Sequence, residues 1–216
     1  MTLTYDVFWS FRSPYSYLLT PRLLKFEREY DVIAKVRPVY PIAVRVEGFF
    51  KTVNLLWWRY LRQDVARTAE MLGMPYAPPD PDPILMDIGT GEVSKHQPYI
   101  VRLTRLGVAA AKRGKGLPFL KEVSTVIFGG TRGWHLSNHL ASAAERAGLE
   151  IAELEFEIEA NGERYEAVIA ENQKGQEQAG HWGVPLMAFE GEPFFGQDRF
   201  EALKWRMAQK GLTIRA

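Results

Sequence analysis

The sequence predicts an α/β fold in which a β-α-β unit opens the chain, a β-β-α unit closes it, and a large all-helical segment is inserted between them. Runs of β-branched and aromatic residues at both ends read as strands. Apolar residues at helical spacing accompany each of them. From about residue 41 to residue 180, no strand signal is as strong as those at either end. Residues 1–40 and 181–216 therefore form one discontinuous domain, and residues 41–180 an inserted helical domain. With 216 residues and a hydrophobic fraction of 46%, the chain can fill a real core.

In order, Thr4-Tyr5-Asp6-Val7-Phe8-Trp9 reads as the first strand. Leu18, Leu19, Leu23, Leu24 and Phe26 then recur at helical spacing up to Glu29-Tyr30. Ser13 suits the N-cap of that helix, and Pro14 suits its first turn, where a missing N–H costs nothing. Val32 to Val39 makes a second strand. Two strands joined by one helix lie parallel with a right-handed crossover, which puts the Ser13 turn at the carboxyl edge of the sheet, where open α/β sheets bind ligands. An anion beside Ser13 would be stabilised by the helix dipole; read alone, Ser13 is more simply just a cap.

The segment from Trp57 to Leu72 is a helix that Gly73 terminates and Pro75 keeps from continuing. Prolines 75, 78, 79, 81 and 83 make an extended, semi-rigid connection. Further helices are expected over 98–112, 117–128, 137–147 and 165–175, with a short one near Leu154. Val184 to Phe189, a turn at Glu190-Gly191-Glu192, and Pro193 to Gly196 give a hairpin. Gln197-Asp198 then opens a closing helix over 199–210, stopped by Gly211.

A net charge of +1, without runs of like charge, gives no case for nucleic acid or an anionic membrane as partner. The chain begins without a basic leader and contains no long apolar stretch, so a cytoplasmic location is expected. It has no cysteine. Disulfides, thiolate metal sites and dithiol redox chemistry of its own are excluded, and any sulfur chemistry must arrive with a ligand. His135 and His139 stand four apart but lack the intervening glutamate and third ligand of a zinc site, so no metal centre is expected.

Ser13-Pro14-Tyr15-Ser16-Tyr17-Leu18, Tyr60-Leu61-Arg62-Gln63-Asp64 with Arg67, Leu72-Gly73-Met74-Pro75, Trp182-Gly183-Val184-Pro185 and Phe194-Phe195-Gly196-Gln197-Asp198-Arg199 together resemble the 2-hydroxychromene-2-carboxylate isomerases and kappa-class glutathione transferases of the DsbA-like thioredoxin-fold superfamily. The resemblance spans nearly the whole chain and implies a thioredoxin fold with a helical insertion. It places Ser13 where redox members of the superfamily carry a reactive cysteine, so that its hydroxyl donates to the sulfur of bound glutathione and lowers the thiol pKa. Val184 and Pro185 match a cis-proline loop whose backbone takes the cysteinyl residue. Gln197 and Asp198 match the γ-glutamyl subsite, and Asp64, with Asn54 from the preceding loop, further glutathione contacts. The chain departs from kappa-type members at Trp57, where they carry a lysine, which leaves the group that holds the glycine carboxylate open.

The function implied is a glutathione-dependent isomerase acting on 2-hydroxychromene-2-carboxylate or a related intermediate of aromatic-compound catabolism, as in naphthalene degradation, with the tripeptide as catalyst. Arg12 is the candidate for the substrate carboxylate, and Phe50 and Trp57 for the wall of the substrate pocket. A kappa-like transferase that conjugates electrophiles and a non-catalytic binding scaffold are the alternatives. The resemblance also implies a homodimer.

Overall fold

The computed structural model describes residues 2–87 and 89–215, apart from the side chain of residue 55. Strand β1 (Leu3–Trp9) leads through helix α1 (Pro14–Glu29) into β2 (Val32–Pro38). Near the end of the chain come β3 (Leu186–Phe189) and β4 (Glu192–Phe195). The sheet order is β2-β1-β3-β4. β1 runs parallel to β2, with Tyr5 opposite Ala34, and antiparallel to β3, with Val7 opposite Met187; β3 and β4 form a hairpin with Met187 opposite Phe194. Its two linking residues, Glu190 (φ 51°) and Gly191 (φ 82°), both have positive φ, the geometry that matches the twist of a two-residue hairpin.

Between β2 and β3 lie eight of the ten α-helices seen among the described residues: α2 (Ile42–Arg45), α3 (Phe49–Thr52), α4 (Leu55–Met71), α5 (Pro98–Lys112), α6 (Gly116–Phe128), α7 (His139–Arg146), α8 (Ile151–Ala160) and α9 (Gly162–Gln178). The closing helix is α10 (Phe200–Ala208).

Central strand β1 is buried on both faces. Tyr5, Val7 and Trp9 join the main core, whereas Phe8 packs with Val39, Leu186 and Ala188 on the other side. The main core runs unbroken from the sheet into the insertion: Phe11 meets Phe119 edge-on at 6.3 Å, and Tyr17 stacks on Phe128 at 5.6 Å. At the edge strand β2 the Ala34 N–H donates to the Glu27 carboxylate at 2.6 Å, and the Pro38 carbonyl accepts from Asn172 Nδ2 at 3.0 Å. Such contacts blunt an edge that could otherwise pair with another chain.

The thioredoxin fold with an inserted helical segment expected from the sequence is present, with local differences. β3 begins at Leu186 rather than Val184, because the preceding pair forms the proline loop. Gln197–Arg199 is a 3₁₀ turn, and the closing α-helix begins only at Phe200. The helix near Leu154 is longer than expected, at ten residues. α2 and α3 were not legible because four residues are too few to show a period. Among the described residues, no helix is long and apolar enough to cross a membrane.

Candidate functional site

Ser13 sits between β1 and α1 with an extended backbone (φ −94°, ψ 110°), and its Oγ accepts the Ser16 N–H at 3.2 Å. That bond satisfies one of the otherwise unpaired amides of the first helical turn. The Ser13 hydroxyl in turn donates to the Val184 carbonyl at 3.2 Å, and the Val184-Pro185 peptide is cis. The helix cap and the proline loop thus meet through one side chain. The Val184 N–H has no backbone acceptor among the described residues.

On one side of this junction the Gly196 N–H donates to the Pro185 carbonyl at 2.9 Å. Gly196 has φ 99° and ψ 154°, a conformation essentially reserved for glycine, and an added Cβ would approach Asp198 Oδ1 to 2.6 Å. The next residue, Gln197, accepts through Oε1 from the Arg22 guanidinium of α1. Asp198 is exposed and pairs with its neighbour Arg199 at 3.1 Å. A continuous polar line therefore runs from Ser13 through Val184, Pro185 and Gly196 to Gln197 and Arg22.

The residues before Val184 join an aromatic wall. Phe195 stacks on His181 with centroids 3.8 Å apart, and His181 stacks on Trp182 at 5.4 Å. Trp182 meets Phe49 at 6.2 Å, Phe49 meets Phe50 at 5.4 Å, Phe50 meets Trp58 at 4.9 Å, and Trp58 meets Trp57 at 5.0 Å. The Trp182 carbonyl accepts from Arg45 Nη2 at 2.8 Å and from Gln176 Nε2 at 3.0 Å. His181 Nδ1 accepts the Gly183 N–H at 2.8 Å, which places the ring proton of the neutral form on Nε2, and burial pushes the His181 pKa down.

Of the residues singled out in the sequence, Ser13, Val184, Pro185 and Gln197 are brought together, with Asp198 next to Gln197, and Phe50 and Trp57 belong to the aromatic wall. Arg12 is engaged within the fold. Its fork is filled by Asp82, Nε to Oδ1 at 2.8 Å and Nη2 to Oδ2 at 2.9 Å, while its guanidinium lies 5.1 Å over Phe50. Asp64 is tied to the first turn of α1 through Tyr15, whose hydroxyl donates to Oδ2 at 2.5 Å, and its other oxygen accepts from Arg67 at 2.6 Å and from Tyr60 at 3.2 Å. Burial opposes ionisation of Asp64, yet the bonds from Tyr15, Arg67 and Tyr60 outweigh it and hold the carboxyl below the usual carboxylate range. Asn54 caps α4 by accepting the Leu56 N–H at 2.9 Å. Arg22 and Arg45 carry no motif that would have marked them, and Trp182, though it lies in the motif that precedes Val184, was not singled out; only their places in the fold do so.

The sequence matches the family model of the DSBA-like thioredoxin domain over residues 4–208. Solved structures similar to the chain include a 2-hydroxychromene-2-carboxylate isomerase, 21% identical, with a TM-score of 0.68 over 96% of this chain and 95% of that one. A probable DsbA oxidoreductase from Streptomyces coelicolor is 17% identical, with a TM-score of 0.65 over 96% of this chain and 91% of that one. The cytosolic disulfide reductase DsbM from Pseudomonas aeruginosa, solved with GSH, is 19% identical, with a TM-score of 0.62 over 95% of this chain and 100% of that one. At such identities the likeness speaks to the fold. No curated protein sequence matches the chain.

Proposed function

The chain belongs to the DsbA-like thioredoxin-domain family, and within it we propose a glutathione-dependent isomerase acting on 2-hydroxychromene-2-carboxylate or a related conjugated acid of aromatic catabolism. The observation that carries the reading is Ser13. In a chain without cysteine, a hydroxyl caps the helix at the carboxyl edge of the sheet and is hydrogen-bonded to the carbonyl preceding a cis-proline. A serine there cannot exchange disulfides, but it can donate to a sulfur that a ligand brings.

The surrounding groups fit glutathione. The Val184 N–H is free to pair with a cysteinyl backbone, and the exposed Asp198 carboxylate suits an ammonium group. When bound, glutathione supplies the thiolate that adds reversibly to a conjugated carbon. The Ser13 hydroxyl exchanges its bond to Val184 for one to the sulfur, and with the adjacent α1 N-terminus favours the charged form. The aromatic wall offers flat apolar surface on which a conjugated ring can stack. A cytoplasmic location and a homodimeric state accompany this reading.

Incubating the enzyme with substrate and trace glutathione, followed by mass spectrometry, tests it. The isomerase reading expects a product of unchanged mass and no net loss of glutathione. Accumulation of a stable adduct identifies a transferase instead, and failure of millimolar glutathione to raise the melting temperature identifies a binding scaffold.

A further inference from the structure

Seven arginines are half-buried among the described residues: Arg12, Arg22, Arg37, Arg45, Arg102, Arg105 and Arg206. Five of them have a carboxylate within salt-bridge distance: Asp82 for Arg12, Asp6 for Arg37, Glu155 for Arg102, Glu166 for Arg105 and Glu192 for Arg206. Among the described residues Arg22 and Arg45 have none. Each has its Nε buried without a partner and donates only one hydrogen bond, Arg22 to Gln197 and Arg45 to the Trp182 carbonyl. A partly desolvated guanidinium with an orphaned N–H and no anion is a costly arrangement that elsewhere in this chain is relieved by an ion pair.

The two are linked to one junction by different hydrogen-bonded paths. Arg22 is reached from Val184 through Pro185, Gly196 and Gln197, and Arg45 through Trp182, two residues before Val184. We propose that Arg22 and Arg45 are the carboxylate receptors at the two ends of the site, Arg22 for the α-carboxylate of the γ-glutamyl residue and Arg45 for the glycine carboxylate of glutathione. The assignment rests on the glutathione reading above and deepens it. Glutathione carries a carboxylate at each end, and the two unpaired guanidiniums reach the Val184 loop by separate routes, one through Gln197 and one through Trp182. Arg45 then does what a lysine at position 57 does in kappa-type members, where this chain has Trp57. Burial lowers the pKa of both guanidiniums; Glu201 and Asp198 oppose this for Arg22, and Glu177 for Arg45, from beyond salt-bridge distance, so the charge is compensated only in part without a ligand.

Calorimetric titration with glutathione, its glycine monoethyl ester, and the γ-aminobutyryl analogue that lacks the α-carboxylate tests the assignment. The wild type should bind each modified tripeptide about tenfold or more weakly than glutathione, the scale of one charge-assisted hydrogen bond. Arg45→Gln should lose a similar factor for glutathione yet bind the ester as the wild type does, and Arg22→Gln should show the same selectivity for the γ-aminobutyryl analogue. Arg22→Lys and Arg45→Lys, which keep the charge but not the fork, replace a glutamine variant that does not fold, with a smaller loss of the same selectivity. If the variants discriminate among the three ligands as the wild type does, the assignment of the arginines is wrong while the glutathione reading stands. If the wild type does not bind glutathione at all, both fall.

Discussion

Replacing Ser13 with alanine removes two hydrogen bonds at once, the cap to the Ser16 N–H and the bond to the Val184 carbonyl, both 3.2 Å long. Loss of an N-cap costs about 1 kcal/mol. A partly buried neutral hydrogen bond contributes about 1 kcal/mol more. The sum of about 2 kcal/mol corresponds to a fall in Tm of roughly 4–8 °C for a chain of this size. Urea unfolding, with the slope held common to both proteins, measures it directly. Ser13→Thr is the control, because it keeps the hydroxyl and the β-branched side chain tolerates the extended backbone at this position. It should stay within about 0.5 kcal/mol of the wild type, Thr being a slightly weaker cap. Turnover should fall sharply in the alanine variant and persist in the threonine variant. A loss below about 0.5 kcal/mol in Ser13→Ala, or equal losses in the two variants, would refute the idea that this hydroxyl joins the helix cap to the proline loop.

Other perturbations test the elements around it. Arg12→Met should cost about 1 kcal/mol, since its partner Asp82 is more than a third exposed and screened; limited proteolysis within residues 75–83 should accelerate, and unchanged cleavage would show that Asp82 does not anchor the loop. Tyr15→Phe removes a donor from Asp64 and should raise that carboxyl's pKa, read by NMR titration of the side-chain carbon; an unmoved titration would contradict the bond. Burial lowers the His181 pKa, so its contribution to stability is present above its ordinary pKa of about 6.5 and is lost as pH falls through the depressed native value. Between pH of about 7 and 5 the Tm of the wild type should therefore fall more steeply than that of His181→Gln, and parallel curves would remove His181 from the balance.

What was legible in the sequence was local. Ser13-Pro14 before an apolar helical pattern marks a strand-to-helix opening because cap, proline and periodicity lie within one turn of each other. Glu190-Gly191 between two strand runs marks a hairpin for the same reason. The partner relations were not legible. Arg12 lies near Ser13 in sequence and so looked free for a substrate, but Asp82 fills its fork from 70 residues away. Arg22 looks like any surface helix residue until Gln197, 175 positions later, is folded against it. Asp64 fits a ligand contact by motif, yet in the folded chain it accepts from Tyr15, Tyr60 and Arg67. The aromatic wall divides in the same way: Phe49, Phe50, Trp57 and Trp58 are close in sequence, whereas Trp182, His181 and Phe195 join them only through the tertiary fold.

The central claim is that the Ser13 hydroxyl holds the thiol of bound glutathione as a thiolate, and the pH titration of the ultraviolet thiolate absorbance of the bound tripeptide measures it most directly. The wild type should ionise the bound thiol well below the ordinary value of about 8.5, and Ser13→Ala should return it toward that value while still binding glutathione. The same depressed pKa in both proteins, or a bound thiol that titrates as it does in free solution, would contradict the account.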